Sequence, residues 1–228
     1  IGLTSVNYSG AGSIINNSTT GGGLEIISSG TGNITAIVGG NVSALGNEFA
    51  VLANHTGTAG NIVITTVTGT TLRGGFGGVG ALINNSGSDG TVSVTNNAAV
   101  GSPTAALNTF DYGVAGQSNG LGAVSVINNG AVGLATDRAQ DFGIYGAIFG
   151  NSSAALSITG SGAVFSANTG IVAFNIGSGT TTINYTGAIN SNGATSTGGA
   201  GISVATSSNA ATSVTTVCAE VPGLSSPS

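Results

Sequence analysis

The chain has 228 residues, of which 42 are Gly and only 4% are charged, against roughly 25% in an ordinary soluble domain. Its formal charge is −5, from seven acidic residues against Arg73 and Arg138. Two basic side chains cannot neutralise a phosphate backbone or hold an anionic lipid surface, which argues against nucleic acid and membrane-surface partners. The hydrophobic content of 40% argues against a disordered chain.

A short β-branched segment recurs along the chain at intervals of 26 to 32 residues. Its seven copies span 33–38, 61–67, 91–95, 123–127, 155–159, 181–185 and 213–217. A degenerate earlier copy is expected near Leu3. Apolar residues alternate with Ser and Thr in the copies at 91–95 and 123–127, which predicts strands with one buried face. Helix is disfavoured because every unit contains several Gly, each costing about 1 kcal/mol relative to Ala in a helix interior.

Two further apolar segments keep phase with this strand. The first is a short step of small and aliphatic residues at 40–42, 98–100, 130–132, 162–164 and 187–189. The second comes later in each unit, at 49–52, 79–83, 112–115, 143–148, 170–174 and 201–204. The stretch before this later segment absorbs most of the variation in unit length. Three short strands and one variable corner per unit predict a coil.

The pattern therefore predicts an all-β fold, a right-handed parallel β-helix of about seven to eight coils of 26–32 residues. An antiparallel sandwich would not explain why the same unit of three segments recurs in the same order along the chain. Equivalent residues of successive coils would stack about 4.8 Å apart, with Val, Ile and Leu inside and Asn, Ser and Thr in hydrogen-bonded ladders at the bends. We expect one repeat domain over 1–217, and a tail or the truncated start of another coil over 218–228.

Two stretches resemble the passenger domains of Gram-negative autotransporters. They are 123–132, with the sequence AVSVINNGAV, and 155–164, with the sequence ALSITGSGAV. The resemblance is one of repeat style and covers nearly the whole chain. It implies a β-helix exported to the cell surface that serves adhesion, autoaggregation or biofilm formation. The outer-membrane barrel and signal peptide of such proteins have no counterpart in this sequence, and secreted two-partner adhesins share the fold.

The seven acids cluster only at 136–142, where Asp137 and Asp141 flank Arg138. A carbohydrate-active or sugar-binding β-helix would place these three residues in a groove, because glycoside chemistry needs paired carboxylates. The simpler interpretation is a solvated loop with a local ion pair, since the cluster lies in the variable corner of its unit. We therefore expect no catalytic residues, and the sugar-binding corner remains the alternative.

Other candidate sites lack partners in the sequence. His55 is interpreted as a surface turn residue, and Cys218 as a small buried hydrophobe, because neither has a second ligand or a base at suitable spacing. The glycine-rich stretch 74–80 lacks the Lys-Ser/Thr of a phosphate loop and predicts a compact corner. We expect no metal and no cofactor.

Aromatic residues recur in or beside the third strand of several units. They are Phe49, Phe110, Tyr112, Phe142, Tyr145, Phe149, Phe165 and Phe174. An exposed aromatic stripe could bind sugars or hydrophobic partners. Ring stacking inside the coil is the commoner arrangement and is the one we predict.

The sequence thus favours an extracellular structural or adhesive protein of a Gram-negative cell surface, without catalysis. We expect self-association, head-to-tail or lateral, and attachment to a host or glycan surface, with no nucleic-acid partner and no membrane-spanning segment. Ile1 begins within the repeat pattern, so the first coil could pair with another subunit. An ice-binding rod ranks last, because the Thr pairs at 65–66, 70–71 and 180–182 do not repeat in register.

Overall fold

The computed structural model describes residues 3–9, 12–103, 110–190 and 200–207, together with the backbone of one strand at 212–216. The strands in chain order are β1 (Thr4–Tyr8), β2 (Ser13–Asn16), β3 (Leu24–Ser28), β4 (Ile34–Val38), β5 (Asn41–Ala44), β6 (Phe49–His55), β7 (Ile62–Thr66), β8 (Thr71–Gly74), β9 (Gly77–Ile83), β10 (Val92–Asn96), β11 (Ala99–Gly101), β12 (Phe110–Ser118), β13 (Val124–Asn128), β14 (Ala139–Ile148), β15 (Leu156–Gly160), β16 (Val164–Phe165), β17 (Thr169–Asn175), β18 (Thr181–Tyr185), β19 (Ile189–Asn190), β20 (Ile202–Thr206) and β21 (Thr212–Thr216).

Strands return to the same sheet at intervals of three along the chain, except for one interval of two in each long sheet, and all of them pair in parallel, which confirms the predicted β-helix. An eight-stranded sheet runs β1-β4-β7-β10-β13-β15-β18-β21, and a seven-stranded sheet runs β20-β17-β14-β12-β9-β6-β3. The short strands form a four-stranded sheet, β11-β8-β5-β2, and a pair, β16-β19. Within the described residues, no helix is long and apolar enough to cross a membrane.

The solenoid has about six turns rather than the predicted seven to eight. The difference lies in the short sheets, which together supply only six strands. At Val132 the predicted short strand is reduced to isolated bridges with Val100 and Val164. The repeat of the first strand was therefore a better guide to the sheet than to the number of complete turns. The predicted boundary between 217 and 218 lies outside the described residues.

The eight-stranded sheet shows why this sequence forms a coil. Its strands stack residue for residue, so that Val94 pairs with Ile64 on one side and Val126 on the other. These three side chains are fully buried. Ser93 and Ser125 pair on the opposite, outer face and are half-buried. The alternation of Val and Ser along each strand therefore becomes an apolar interior and a polar surface.

A ladder of buried polar side chains runs along the inner end of this sheet, as the Asn-rich bends predicted. The Thr66 hydroxyl donates to Asn96 Oδ1 over 2.8 Å, and Asn96 Nδ2 donates to Asn128 Oδ1 over 2.8 Å. Asn128 Nδ2 donates to the Tyr185 hydroxyl at 2.8 Å, which in turn donates to the Gly162 carbonyl oxygen at 2.6 Å. Each buried polar group thus satisfies a neighbour in another turn.

His55 is buried, and its prediction as a surface turn residue was wrong. It has no exposed surface and occupies the last inward position of β6, two residues after the buried Ala53. The Gly57 N–H donates to Nδ1 over 3.2 Å, so Nε2 is the atom that donates to the Gly32 carbonyl oxygen at 3.0 Å. Gly60 leaves room for the ring, because a Cβ there would lie 2.6 Å from Nε2.

The glycine-rich stretch 74–80 is a compact corner, as predicted. A Cβ at Gly75 would lie 2.5 Å from the Gly46 carbonyl oxygen of the preceding turn. A Cβ at Gly77 would overlap the Phe49 ring. These contacts bring two turns closer than any larger residue permits and leave space on the outer face for aromatic side chains.

Candidate functional site

An aromatic cleft lies on the outer face of the seven-stranded sheet. Several of its rings lie at or near the start of strands in this sheet. Phe49 is the first residue of β6, and Tyr112 lies near the start of β12. Tyr112 pairs with Phe142 of β14. Gly77 holds the corresponding position between Phe49 and Tyr112. Because Gly77 has no side chain, the Phe49 ring lies over it and becomes buried.

The rings contact one another in a continuous cluster. Phe76 lies edge-on to Phe49, with ring centroids 5.1 Å apart, and 5.0 Å from the Tyr112 ring. Tyr145 lies 5.8 Å from Tyr112 in a T-shaped arrangement and stacks on Phe142 at 5.6 Å. Such contacts hold the rings in defined positions before any ligand arrives.

The cleft itself has a volume of about 220 Å³. It is lined by Phe49, Phe76, Leu82, Tyr112, Ala115, Gln117 and Tyr145. Leu82, Gln117 and Tyr145 belong to the outward rows of β9, β12 and β14 and are half-buried. The predicted stacking of rings inside the coil was therefore wrong for Phe49, Tyr112 and Tyr145, and for Phe149, which is exposed, although Phe110 does lie in the core. Gly80 explains the outward position of Phe49, because a Cβ at Gly80 would lie 2.9 Å from that ring.

Two carboxylates lie beside the Tyr112 end of the cleft. Burial raises the pKa of Asp111, and the negative charge of Asp141 raises it further. Burial also raises the pKa of the Tyr112 hydroxyl, and the negative charges of Asp141 and then Asp111 raise it further. The pKa of Tyr145 is raised by burial and then by Tyr112. Burial is the larger cause of the shifts at Asp111 and Tyr112, and the nearby carboxylates add to it, so a further negative charge is disfavoured at this end of the cleft.

The predicted corner of Asp137, Arg138 and Asp141 is divided among three surroundings. Asp137 is 4% exposed, and its Oδ2 accepts the Ser102 N–H over 3.1 Å. Its description as part of a solvated loop was therefore wrong. Leu134 and Asp137 exchange two backbone hydrogen bonds in a tight turn, and Gly101 leaves space for the carboxylate. This turn directs Asp137 against the short strands instead of outward.

Arg138 and Asp141 have different surroundings from those of Asp137. Arg138 Nη1 donates to the carbonyl oxygens of Ser166 and Asn190 at 3.2 and 3.1 Å, and its guanidinium carbon lies 5.7 Å from the centre of the Phe165 ring. Asp141 lies in β14 and acts electrostatically on Asp111 and Tyr112. The corner thus supplies one carboxylate to the surroundings of the aromatic cleft.

A second, smaller pocket of about 90 Å³ lies beside the short strands. Asp137 and Arg73 both line it. Arg73 Nη1 donates to the Ser102 carbonyl oxygen over 3.1 Å, while Asp137 accepts the Ser102 N–H. Asp137 Oδ1 is buried without a hydrogen-bond partner in the structure. The pair fixes the backbone at Ser102, and the pocket has room for only a few water molecules.

Among the residues that the structure describes, no group of three or more His, Cys, Asp and Glu could hold a metal ion. Cys218 and Glu220 lie outside the described residues. The threonines at 65–66 form no continuous rank: Thr65 pairs with Thr95, but Ile37 and Ile127 flank the two in the same row.

Sequence reasoning missed Phe76, Leu82 and Gln117 as members of the cleft. Leu82 and Gln117 pair across β9 and β12, and a strand alternation counted from the buried Val79 would have placed Leu82 outward. Phe76 precedes its strand within a glycine run, where alternation gives no direction. Only the close approach of the turns at Gly75 and Gly77 brings its ring to Phe49.

Comparison with known proteins adds no relative: no protein-family model matches this chain, and neither curated proteins nor solved structures give a significant match.

Proposed function

We propose that this chain is an extracellular structural and adhesive β-helix that attaches to its target through the aromatic cleft, without catalysis. The observation that carries the proposal is a preformed, partly exposed cluster of rings on an otherwise small-residue, low-charge solenoid. Aromatic side chains dominate the energy of many binding surfaces because they bury a large area with few rotatable bonds.

The scaffold supports an attachment role for a second reason. Parallel stacking fixes the position of every ring relative to the turns above and below it, and the polar ladder at Asn96 and Asn128 holds the turns together. A rigid surface loses little conformational entropy on binding. In this proposal the chain is the passenger domain of an autotransporter-like protein at a Gram-negative cell surface. The supporting features are the β-helix and the repeat style at 123–132 and 155–164.

Self-association belongs to the same proposal. Ile37 and Val63 are 40% and 38% exposed on the outer face of the eight-stranded sheet, where most neighbours are Ser and Thr. Flat sheet faces with exposed apolar residues favour lateral contact between copies. Sedimentation at increasing protein concentration is expected to show oligomers that Ile37→Asn with Val63→Asn reduces. A strictly monomeric wild type at high concentration would contradict self-association.

Attachment is tested with the double variant Tyr112→Ala with Tyr145→Ala. Purified protein is bound to cultured epithelial cell layers and to a glycan array, after thermal unfolding shows that each variant is folded. We expect at least tenfold weaker attachment, because two of the exposed rings are lost. The matched control is Phe149→Ala with Phe174→Ala, since these two rings also contact each other, 5.1 Å apart, but do not line the cleft.

The control variant is expected to attach within twofold of the wild type. If the cleft variant attached as strongly as the wild type, the proposal would be wrong. If both variants lost attachment equally, the binding surface would be the aromatic surface at large and not the cleft.

A further inference from the structure

We propose that the ligand group bound by the aromatic cleft is a quaternary ammonium, such as a trimethylammonium headgroup. This inference deepens the proposed attachment function and rests on it.

The lining of the cleft fits an alkylated cation. Phe49, Phe76, Tyr112 and Tyr145 contribute aromatic rings, whose faces carry partial negative charge and attract cations at close range. Leu82 and Ala115 add apolar surface, and Gln117 contributes the one side-chain amide of the lining. Methyl groups on nitrogen suit such a lining, whereas a primary ammonium would lose hydrogen bonds to water that the apolar groups cannot replace.

The charge beside the cleft points to a cation as well. Asp111 and Asp141 repel each other, and both act on the Tyr112 hydroxyl. A bound cation relieves this repulsion, whereas a neutral sugar leaves it in place. The net charge of −5 attracts cations over a longer range.

None of the residues that line the aromatic cleft carries a positive charge. Arg73 and Arg138 are its only Lys or Arg side chains. Arg73 is bonded to the Ser102 carbonyl at the short strands, and Arg138 is bonded to the carbonyls of Ser166 and Asn190. Neither lines the aromatic cleft. A cationic ligand would therefore place beside Asp111 and Asp141 a positive charge that the lining of the cleft lacks.

The deciding experiment compares choline with its uncharged carbon isostere, 3,3-dimethylbutan-1-ol, by calorimetry or by NMR titration of the full chain. The two have the same shape, so their difference reports the charge alone. We expect choline to bind at least tenfold more tightly. Equal affinities would overturn the inference, and so would a sugar that binds in the cleft more tightly than choline and displaces it.

Two variants make the test specific to the cleft. Asp141→Asn keeps the rings and removes one charge, and we expect a three- to tenfold loss of choline affinity with little change for the isostere. Phe174→Ala is the control and is expected to bind choline within twofold of the wild type. A double variant that combines Asp141→Asn with Tyr145→Leu removes one charge and one ring. If it bound choline as tightly as the wild type, the assignment of the site would be overturned.

The pH dependence follows from the raised pKa of Asp111. Protonation of Asp111 removes a negative charge beside the cleft, so choline affinity is expected to fall as the pH is lowered from 7 through the raised pKa of this carboxyl. The affinity of 3,3-dimethylbutan-1-ol is expected to stay constant over the same range. Parallel changes for both ligands would point to a conformational change and contradict the electrostatic argument.

Phosphatidylcholine vesicles and free choline distinguish the source of the group. Binding to vesicles that free choline inhibits supports a membrane headgroup, and binding of choline alone supports a soluble or glycan-linked ammonium. If the double variant Tyr112→Ala with Tyr145→Ala loses attachment but the wild type does not bind choline, this inference fails and the attachment function stands. If choline binds but attachment is unaffected by the variant, the attachment function fails instead.

Discussion

The eight-stranded sheet and the seven-stranded sheet belong to the same solenoid but differ in how regular the register between their strands is. In the eight-stranded sheet, β10 and β13 pair over all five residues without a shift. In the seven-stranded sheet, the register between β12 and β14 shifts between Phe110 and Tyr112. The aromatic cleft lies immediately beside this irregularity.

The difference between the two sheets shows how a repeat fold acquires a site. Strict stacking places like residues on like, which yields a uniform polar face such as that of Ser93, Ser125 and Ser157. A register shift and a glycine in an aromatic position, as at Gly77, break the uniformity and create a concave surface. Departures from the repeat are therefore where binding is expected, while the regular sheet supplies stability.

The largest effect is expected where two backbones touch. A Cβ at Gly122 would overlap the Gly90 carbonyl oxygen of the neighbouring turn, and backbone cannot move aside as a flexible side chain can. Gly122→Ala should lower the free energy of unfolding by about 3 kcal/mol or more. Gly30→Ala is the control, because nothing lies within 4 Å of a Cβ there, and urea denaturation of both variants measures the contrast. Equal stabilities would argue against the close approach of the turns.

The second-largest effect is expected when the buried polar ladder is broken. Asn128 bonds to Asn96, to Tyr185 and to the Gly130 carbonyl oxygen in the interior. Asn128→Ala should destabilise the fold by about 2–3 kcal/mol, because its removal leaves buried polar groups with fewer partners. Asn129→Ala tests the exposed neighbour, whose amide donates to Asn97 on the surface, and should cost no more than about 0.5 kcal/mol. A similar cost for both variants would show that the interior ladder has no special role.

A smaller effect is expected at alkaline pH. Burial raises the pKa of Tyr185 from 10.0 to about 12, so the unfolded chain ionises before the folded one. The stabilisation from the neutral hydroxyl is complete below pH 10 and is lost as the pH rises toward 12; at pH 11 the loss is about 1 kcal/mol. Denaturation between pH 9 and pH 11 measures this slope. Tyr185→Phe should reduce this slope, with the remainder coming from Tyr112 and Tyr145, and an unchanged slope in this variant would assign the effect to other groups.

The smallest effect is expected for Tyr145→Phe, which keeps the ring and removes the hydroxyl. Because the ring face is the binding group in our proposal, choline affinity should stay within twofold, and stability within about 0.5 kcal/mol. Titration and thermal unfolding of the same sample measure both quantities. A tenfold loss of affinity would show that the hydroxyl group, and not the ring, binds the ligand.

Much of the fold could be predicted because parallel stacking requires similar residues at equivalent positions of successive turns. The recurring strand was placed within about one residue at β4, β7 and β10, since apolar residues must recur at alternate positions to fill one interior. The ladder at the Asn-rich bends followed from the same repeat. What the repeat could not provide was the number of short strands that complete a turn.

The cleft could not be predicted because its side chains depend on exceptions to the repeat. Tyr112 and Phe110 are two residues apart and would share one face in a regular strand, yet Phe110 is in the core and Tyr112 lies outside. The shift in register between them separates the two rings. His55 was misplaced for the opposite reason: the strand alternation from Val51 continues through it, although its neighbours in the sequence are typical of a turn.

Scaffold and site are separated by measuring attachment and thermal unfolding side by side in two variants: Tyr112→Ala with Tyr145→Ala, and Asn128→Ala. We expect the cleft variant to lose at least tenfold in attachment and to keep most of its stability. We expect Asn128→Ala to unfold at a clearly lower temperature and, where it is folded, to attach like the wild type. If the cleft variant attached normally, or if attachment fell only in proportion to stability, the separation of scaffold and site would be contradicted.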